Sequence, residues 1–195
     1  MSSPTLIKPA EYLAKLTSPH GLGIHESFIV TDDFSINGGK KNPINSLCFR
    51  NTTFNGWLHI ENEPDCRIGF EKCNLLGGLH VSGCEGSAFH MSDCAEVRYI
   101  DMYRNRWKRL SIEQVKIKAH LDLSGTEVSE VLKLRSVQAE GLVLYNGRVD
   151  LPFSAARVVL DDPVFALQFE LARIPVMAST NLVRSMLSGL IGVEA

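Results

Sequence analysis

Four ionisable residues recur at one interval in this chain: His59, His80, Asp101 and Asp122, each 21 positions after the last. Two carboxylates about 5–5.5 Å apart are the arrangement of a retaining glycosidase, one acting as acid and one as nucleophile. Asp101 and Asp122, with His80 beside them, could supply it. Two imidazoles next to a carboxylate are also a metal-ligand set, with His59 and His80 pinching an ion and Asp101 as third donor. The flanking column Trp57, Gly78, Tyr99, His120 adds aromatic surface on which a sugar or base could stack. A second cluster, Tyr103-Arg104-Asn105-Arg106-Trp107-Lys108-Arg109, interleaves four cations with two aromatics. That mixture suits phosphate contacts with stacking, or cation–π anchoring of a protein partner. Neither cluster can act unless the fold holds its members in line.

The same interval of 21 orders the apolar residues. One column reads Leu47, Ile68, Phe89, Leu110, and its neighbour reads Phe49, Phe70, Met91, Ile112. Another pair reads Leu58, Leu79, Ile100, Leu121, Leu142 and Ile60, Val81, Met102, Leu123, Leu144. Between them run Thr52, Cys73, Cys94, Val115 and Phe54, Leu75, Glu96, Ile117, where Glu96 alone clearly breaks its column. After Leu123 the first strand slips by one residue, to Leu132 and Leu134, with Val137 following. Apolar and polar residues alternate within each unit, and period two means strand. Each unit therefore holds three short strands, with turns at Asn55-Gly56, Gly77-Gly78 and Asn146-Gly147, where glycine or asparagine accepts a positive φ.

Such units bury a continuous core only by stacking, about 4.8 Å per coil. We therefore expect an all-β solenoid: a right-handed parallel β-helix of about five coils over residues 28–160. Residues 1–27 form an N-terminal capping segment with a short helix from Pro9 to Leu16, opened by Pro9. The stretch Phe28 to Ile36 reads as an irregular first coil. Residues 161–195 form a C-terminal helical segment. Asp162-Pro163 starts a helix carrying Val164, Leu167 and Leu171, and Ile174-Pro175 ends it. A second helix, Asn181 to Ile191, places Leu182, Val183, Met186, Leu187, Leu190 and Ile191 on one stripe, as a cap on the last coil or a homodimer face.

Two of the units, Cys48-Phe49-Arg50-Asn51 and Cys73-Asn74-Leu75-Leu76, resemble those of pentapeptide-repeat proteins. The resemblance covers about half the chain. It implies an inhibitor or mimic that blocks another protein's nucleic-acid site, although a net charge of −2 argues against full mimicry of DNA.

Composition bounds what remains. The chain has 195 residues, 45% hydrophobic and 22% charged, with net charge −2. That is enough for one core, excludes global disorder, and argues against a broadly basic nucleic-acid binder. No run approaches the roughly 18 apolar residues of a membrane span, and the first residues lack the apolar core of a signal peptide. Five cysteines at spacings of 18, 7, 11 and 10 match no zinc template and point to reduced thiols in the cytoplasm. Cys73 and Cys94 fall in an inward column, Cys48 faces out, and Cys66 and Cys84 belong to turns. Gly21-Leu22-Gly23 and Asn37-Gly38-Gly39-Lys40-Lys41 are too short for a phosphate loop. We expect no cofactor and no resident metal.

The basic run at 103–109 faces an acidic counterpart two coils earlier, Glu61-Asn62-Glu63-Pro64-Asp65. An edge that changes sign favours a protein partner over nucleic acid, although Glu85 or Glu127 could also neutralise the arginines locally. The leading expectation is a non-enzymatic macromolecule-binding β-helix, a protein-binding inhibitor or adaptor. It would use the His59–Asp122 ladder and the edge formed by Tyr103, Arg104, Arg106, Trp107, Lys108 and Arg109. The alternatives are a polysaccharide-acting hydrolase or lyase using Asp101 and Asp122, and a self-assembling structural solenoid.

Overall fold

The computed structural model describes residues 3–17, 26–38, 46–143, 154–155, 158–161 and 164–165. The chain opens with β1 (Thr5–Ile7) and α1 (Pro9–Leu16), then β2 (Phe28–Val30) and β3 (Phe34–Asn37). Three turns of three strands follow. These are β4 (Ser46–Arg50), β5 (Thr52–Phe54) and β6 (Trp57–Glu61); β7 (Cys66–Glu71), β8 (Asn74–Leu75) and β9 (Gly78–Ser82); and β10 (Glu85–Ser92), β11 (Glu96–Val97) and β12 (Ile100–Tyr103). Next come β13 (Arg106–Lys116) with β14 (His120–Asp122), and β15 (Glu127–Ala139) with β16 (Gly141–Val143). Three short strands, β17 (Ser154–Ala155), β18 (Val158–Asp161) and β19 (Val164–Phe165), pair with β15.

These strands stack into three parallel sheets around one core. Sheet I runs β1-β2-β5-β8-β11, sheet II runs β3-β6-β9-β12-β14-β16, and sheet III runs β4-β7-β10-β13-β15 before the three short strands. The result is a parallel β-solenoid of about six turns, as the 6-stranded sheet II counts them. The 21-residue register holds through its middle: Leu58 pairs with Leu79, Leu79 with Ile100, Ile100 with Leu121, and Leu121 with Leu142. Among the described residues, the inward residues along these columns are buried, and hydrophobic burial is what makes the stack cohere.

Register shifts explain where the sequence columns break. Val97, not Glu96, pairs with both Leu75 and Ile117, so one turn gains a residue and the next returns it. Val97 is buried and Glu96 faces solvent. The slip after Leu123 is a bulge in β15: Trp107 pairs with Val128, but Arg109 pairs with Val131. The first turn departs from the 21-residue interval, in keeping with the irregular first coil expected over Phe28 to Ile36. Its spacing is longer, with Phe28 opposite Thr52 and Phe34 opposite Leu58, and β1 adds a further strand that the sequence pattern did not signal.

The corners differ from expectation in their chemistry. Left-handed residues stack in two ladders, Asn51, Lys72, Asp93 and Gln114 between sheets III and I, and Asn62, Gly83, Arg104 and Gly125 between sheets II and III. Gly77 takes no positive φ; a Cβ there would meet the Gly56 carbonyl, so its requirement is close backbone approach. Asn146-Gly147 lies outside the described residues.

Helix α1 spans Pro9–Leu16, with Pro9 at its start. It sends Tyr12 into the core of the first turns, stacked on Phe49 and edge-on to Phe28, Phe34 and Phe54. The Tyr12 hydroxyl and the Thr52 hydroxyl share a 2.9 Å hydrogen bond, which satisfies a polar group in an apolar site. At the other end, Val164 and Phe165 are in a strand paired with β15 and not in a helix. The remainder of that expected helix, and the stripe Leu182, Val183, Met186, Leu187, Leu190 and Ile191, lie outside the described residues. Among the described residues no helix is long and apolar enough to cross a membrane.

Candidate functional site

The outward face of sheet II carries the ionisable ladder in the expected register. His59 stands opposite His80, His80 opposite Asp101, and Asp101 opposite Asp122. Period two in β6 places Trp57, His59 and Glu61 on this same outward side, all half-buried. His80 is the hub. Its Nδ1 lies 3.1 Å from Asp101 Oδ2, and its Nε2 lies 3.9 Å from Glu61 Oε1. The His59 ring is 5.5 Å from the His80 ring on one side, and Tyr103 is 5.2 Å away on the other. Glu61 in turn accepts a long hydrogen bond from the Asn37 amide, 3.5 Å to Oε2.

Trp57 completes the face because Gly78 leaves room for it. Gly78 has φ +126°, and a Cβ there would come within 2.7 Å of the indole. The indole therefore lies across the next coil, with its ring 6.3 Å from Tyr99 and 5.9 Å from His59. Among the described residues, no lysine or arginine occurs in the strands of sheet II. The face is a shelf of rings with four ionisable groups, His59, Glu61, His80 and Asp101, at its centre.

Asp122 departs from the ladder. It is buried, and its Oδ1 accepts the Ser124 backbone N–H at 2.9 Å, an Asx-type turn at the end of β14. Asp101 is engaged with His80. The two carboxylates are thus adjacent in register but directed to different partners, one orienting an imidazole and one closing a turn.

The basic edge is divided between core, corner and surface. Trp107, expected to face a partner, is 1% exposed and packs on Phe89 at 5.9 Å, because its position in β13 points inward. Asn105 is buried too: it accepts from Cys84 N at 3.0 Å and donates to the Val81 carbonyl at 3.0 Å. Arg106 lies between Glu85, at 3.1 Å, and Glu127, at 3.7 Å. Arg109 meets Glu130 at 2.6 Å. Local pairing therefore takes up much of the positive charge. Arg104 and Lys108 are exposed, and Tyr103 belongs to the sheet II shelf.

The cysteines serve the corners. Cys73 and Cys94 donate to the carbonyls of Glu71 and Ser92, as Thr52 does to Arg50, each two residues back. Burial pushes the Cys73 thiol up to about 12 and the Cys94 thiol up to about 11, far from the thiolate a nucleophile needs. Cys66 and Cys84, assigned to turns from the sequence, are both buried. A hydrogen bond with Cys84, followed by burial, raises the Cys66 thiol. Cys48 is exposed on sheet III as expected.

Sequence reasoning found His59, His80 and Asp101 but assigned Glu61 to an acidic turn. The missed signal was its position two residues after His59 on one strand, which period two puts beside the histidines. No family model matches this chain, and neither a search of curated proteins nor one of solved structures finds a match, so the resemblance to pentapeptide repeats has no support from relatives.

Proposed function

We propose that this solenoid is a non-enzymatic protein-binding module, an inhibitor or adaptor, whose contact surface is the outward face of sheet II. The observation that carries this reading is the shelf of Trp57, His59, His80, Tyr99 and Tyr103, assembled by ring contacts along and across strands, with no lysine or arginine among its strands in the described residues. Tryptophan and tyrosine on a rigid support bury much area at little entropic cost and are enriched among the residues that dominate interface energies. Backbone on a stacked sheet also undergoes little reorganisation on binding. The charges at 85, 106, 109, 127 and 130 pair with one another, which disfavours a phosphate-tracking surface. The proposal includes a right-handed coil, self-association through the apolar stripe at 182–191, and a reducing cytoplasmic setting for the five free thiols.

The test compares two variants in affinity capture from host lysate, followed by titration of the purified partner. Trp57→Ala with Tyr103→Ala removes the shelf; Arg104→Ala with Arg106→Ala and Arg109→Ala removes the basic edge. We expect the shelf variant to lose the partner, with affinity at least about tenfold lower. The edge variant should retain it. A partner held by the shelf variant and released by the edge variant would return the contact to residues 104–109.

A further inference from the structure

We infer that His59, Glu61 and His80 form a binding site for one divalent metal ion of the zinc class. Their donor atoms all lie within 4.8 Å of one another on the half-buried face of sheet II. Zinc bonds of about 2.0–2.2 Å to nitrogen and oxygen in a tetrahedron put donors about 3.3 Å apart. Side-chain rotations of about an ångström therefore close the set, with no movement of the sheet. His59 and His80 are opposite each other on neighbouring strands, and Glu61 shares the outward side of β6 with His59. The ladder thus supplies a three-donor site from two adjacent strands.

The groups behind the donors make this more than a chance cluster. A metal-binding imidazole holds its other ring nitrogen against a carboxylate, which fixes the tautomer and aims the free nitrogen at the ion. His80 has that arrangement: Nδ1 is 3.1 Å from Asp101 Oδ2, leaving Nε2 toward Glu61. Asn37 steadies the far oxygen of Glu61. Asp101, which the sequence suggested as third ligand, becomes the orienting group, and Glu61 takes the ligand position. Two imidazoles and one carboxylate favour zinc, cobalt or nickel over magnesium and calcium, which prefer oxygen cages. Three protein donors leave a fourth position facing outward, where water or a donor group of a bound molecule completes the coordination.

The site does not depend on the partner reading, because the metal is titrated into the isolated protein. We would strip the Cys48→Ser protein with chelator, then titrate Zn²⁺ by calorimetry and Co²⁺ by visible absorption. The expected result is one equivalent bound, with nitrogen–oxygen ligand-field bands and no sulfur-to-metal charge transfer. His59→Ala or His80→Ala should lower affinity at least about 100-fold, and Asp101→Asn should lower it about 10–100-fold without removing a ligand. Glu61→Gln keeps the side-chain shape and should also weaken binding, while circular dichroism shows each variant folded. Absence of binding in the folded parent, binding that survives His80→Ala, or a thiolate band in the cobalt spectrum would each overturn the assignment.

Discussion

The outward faces of sheets II and III stack side chains on the same parallel ladder, about 4.8 Å apart, with opposite results. On sheet III a column of like charges would repel, and the signs alternate. Arg50 pairs with Glu71, Arg106 sits between Glu85 and Glu127, Lys133 pairs with Glu113, and Arg135 pairs with Asp161. On sheet II the columns hold rings, a glycine gap and a small set of ionisable groups bonded to one another. Exposed ion pairs are worth little each and cancel the local field. The ring face keeps its polar atoms oriented by packing. On one scaffold, sheet III carries exposed ion pairs and sheet II carries packed rings around hydrogen-bonded ionisable groups.

The corner between these two sheets should show the largest effect. Asn105 holds the Cys84 N–H and the Val81 carbonyl with one side chain inside the core. Asn105→Leu keeps the volume and leaves both groups unpaired, for an expected loss of about 2–4 kcal/mol in urea unfolding. A loss below about 0.5 kcal/mol would mean that the corner ladder does not separate the faces. Next come two matched glycines. Gly78→Ala on sheet II meets both a φ of +126° and the Trp57 ring, and should cost about 1–3 kcal/mol while shifting tryptophan fluorescence. Gly69→Ala on sheet III meets only the Cys48 sulfur at 3.5 Å, an ordinary contact, and should be neutral or stabilising by up to about 1 kcal/mol. Equal effects at the two positions would dissolve the contrast between the faces.

How far the sequence carried these conclusions depended on how regular each segment is. Where every turn has 21 residues, as along Leu58, Leu79, Ile100 and Leu121, period and register were readable together, and so the His59–Asp122 ladder was too. One inserted residue defeats the column method, which is why Val97 hid behind Glu96. The paired strand β1 lies outside the repeat and gave no periodic signal at all. At the site, residue type misled more than register. Trp107 reads as an interface residue by type, yet strand alternation turns it inward beside Phe89. Glu61 reads as surface charge, yet alternation turns it toward His80. Asp122 kept its place in the ladder but spends a carboxylate oxygen on the Ser124 N–H, a competition between side chain and turn that no spacing rule exposes.

The ion pairs of sheet III should give the small effects. Arg106→Ala and Arg109→Ala, both highly exposed, should each cost no more than about 1 kcal/mol, and added salt should shrink the difference from wild type. The Glu113 carboxyl is the finest probe of that face. A hydrogen bond from the Ser111 hydroxyl, supported by Lys133, holds it below the usual carboxylate value. A folded-state value lower than the unfolded one stabilises the fold above the unfolded titration, near pH 4.3, and the contribution disappears as pH falls through the folded value. Glu113→Gln should therefore be slightly less stable than wild type at pH 7 and converge with it in acid. A difference that grew as pH fell would mean that the protonated carboxyl is the favoured form, and that sheet III is not held by charge pairing at this position.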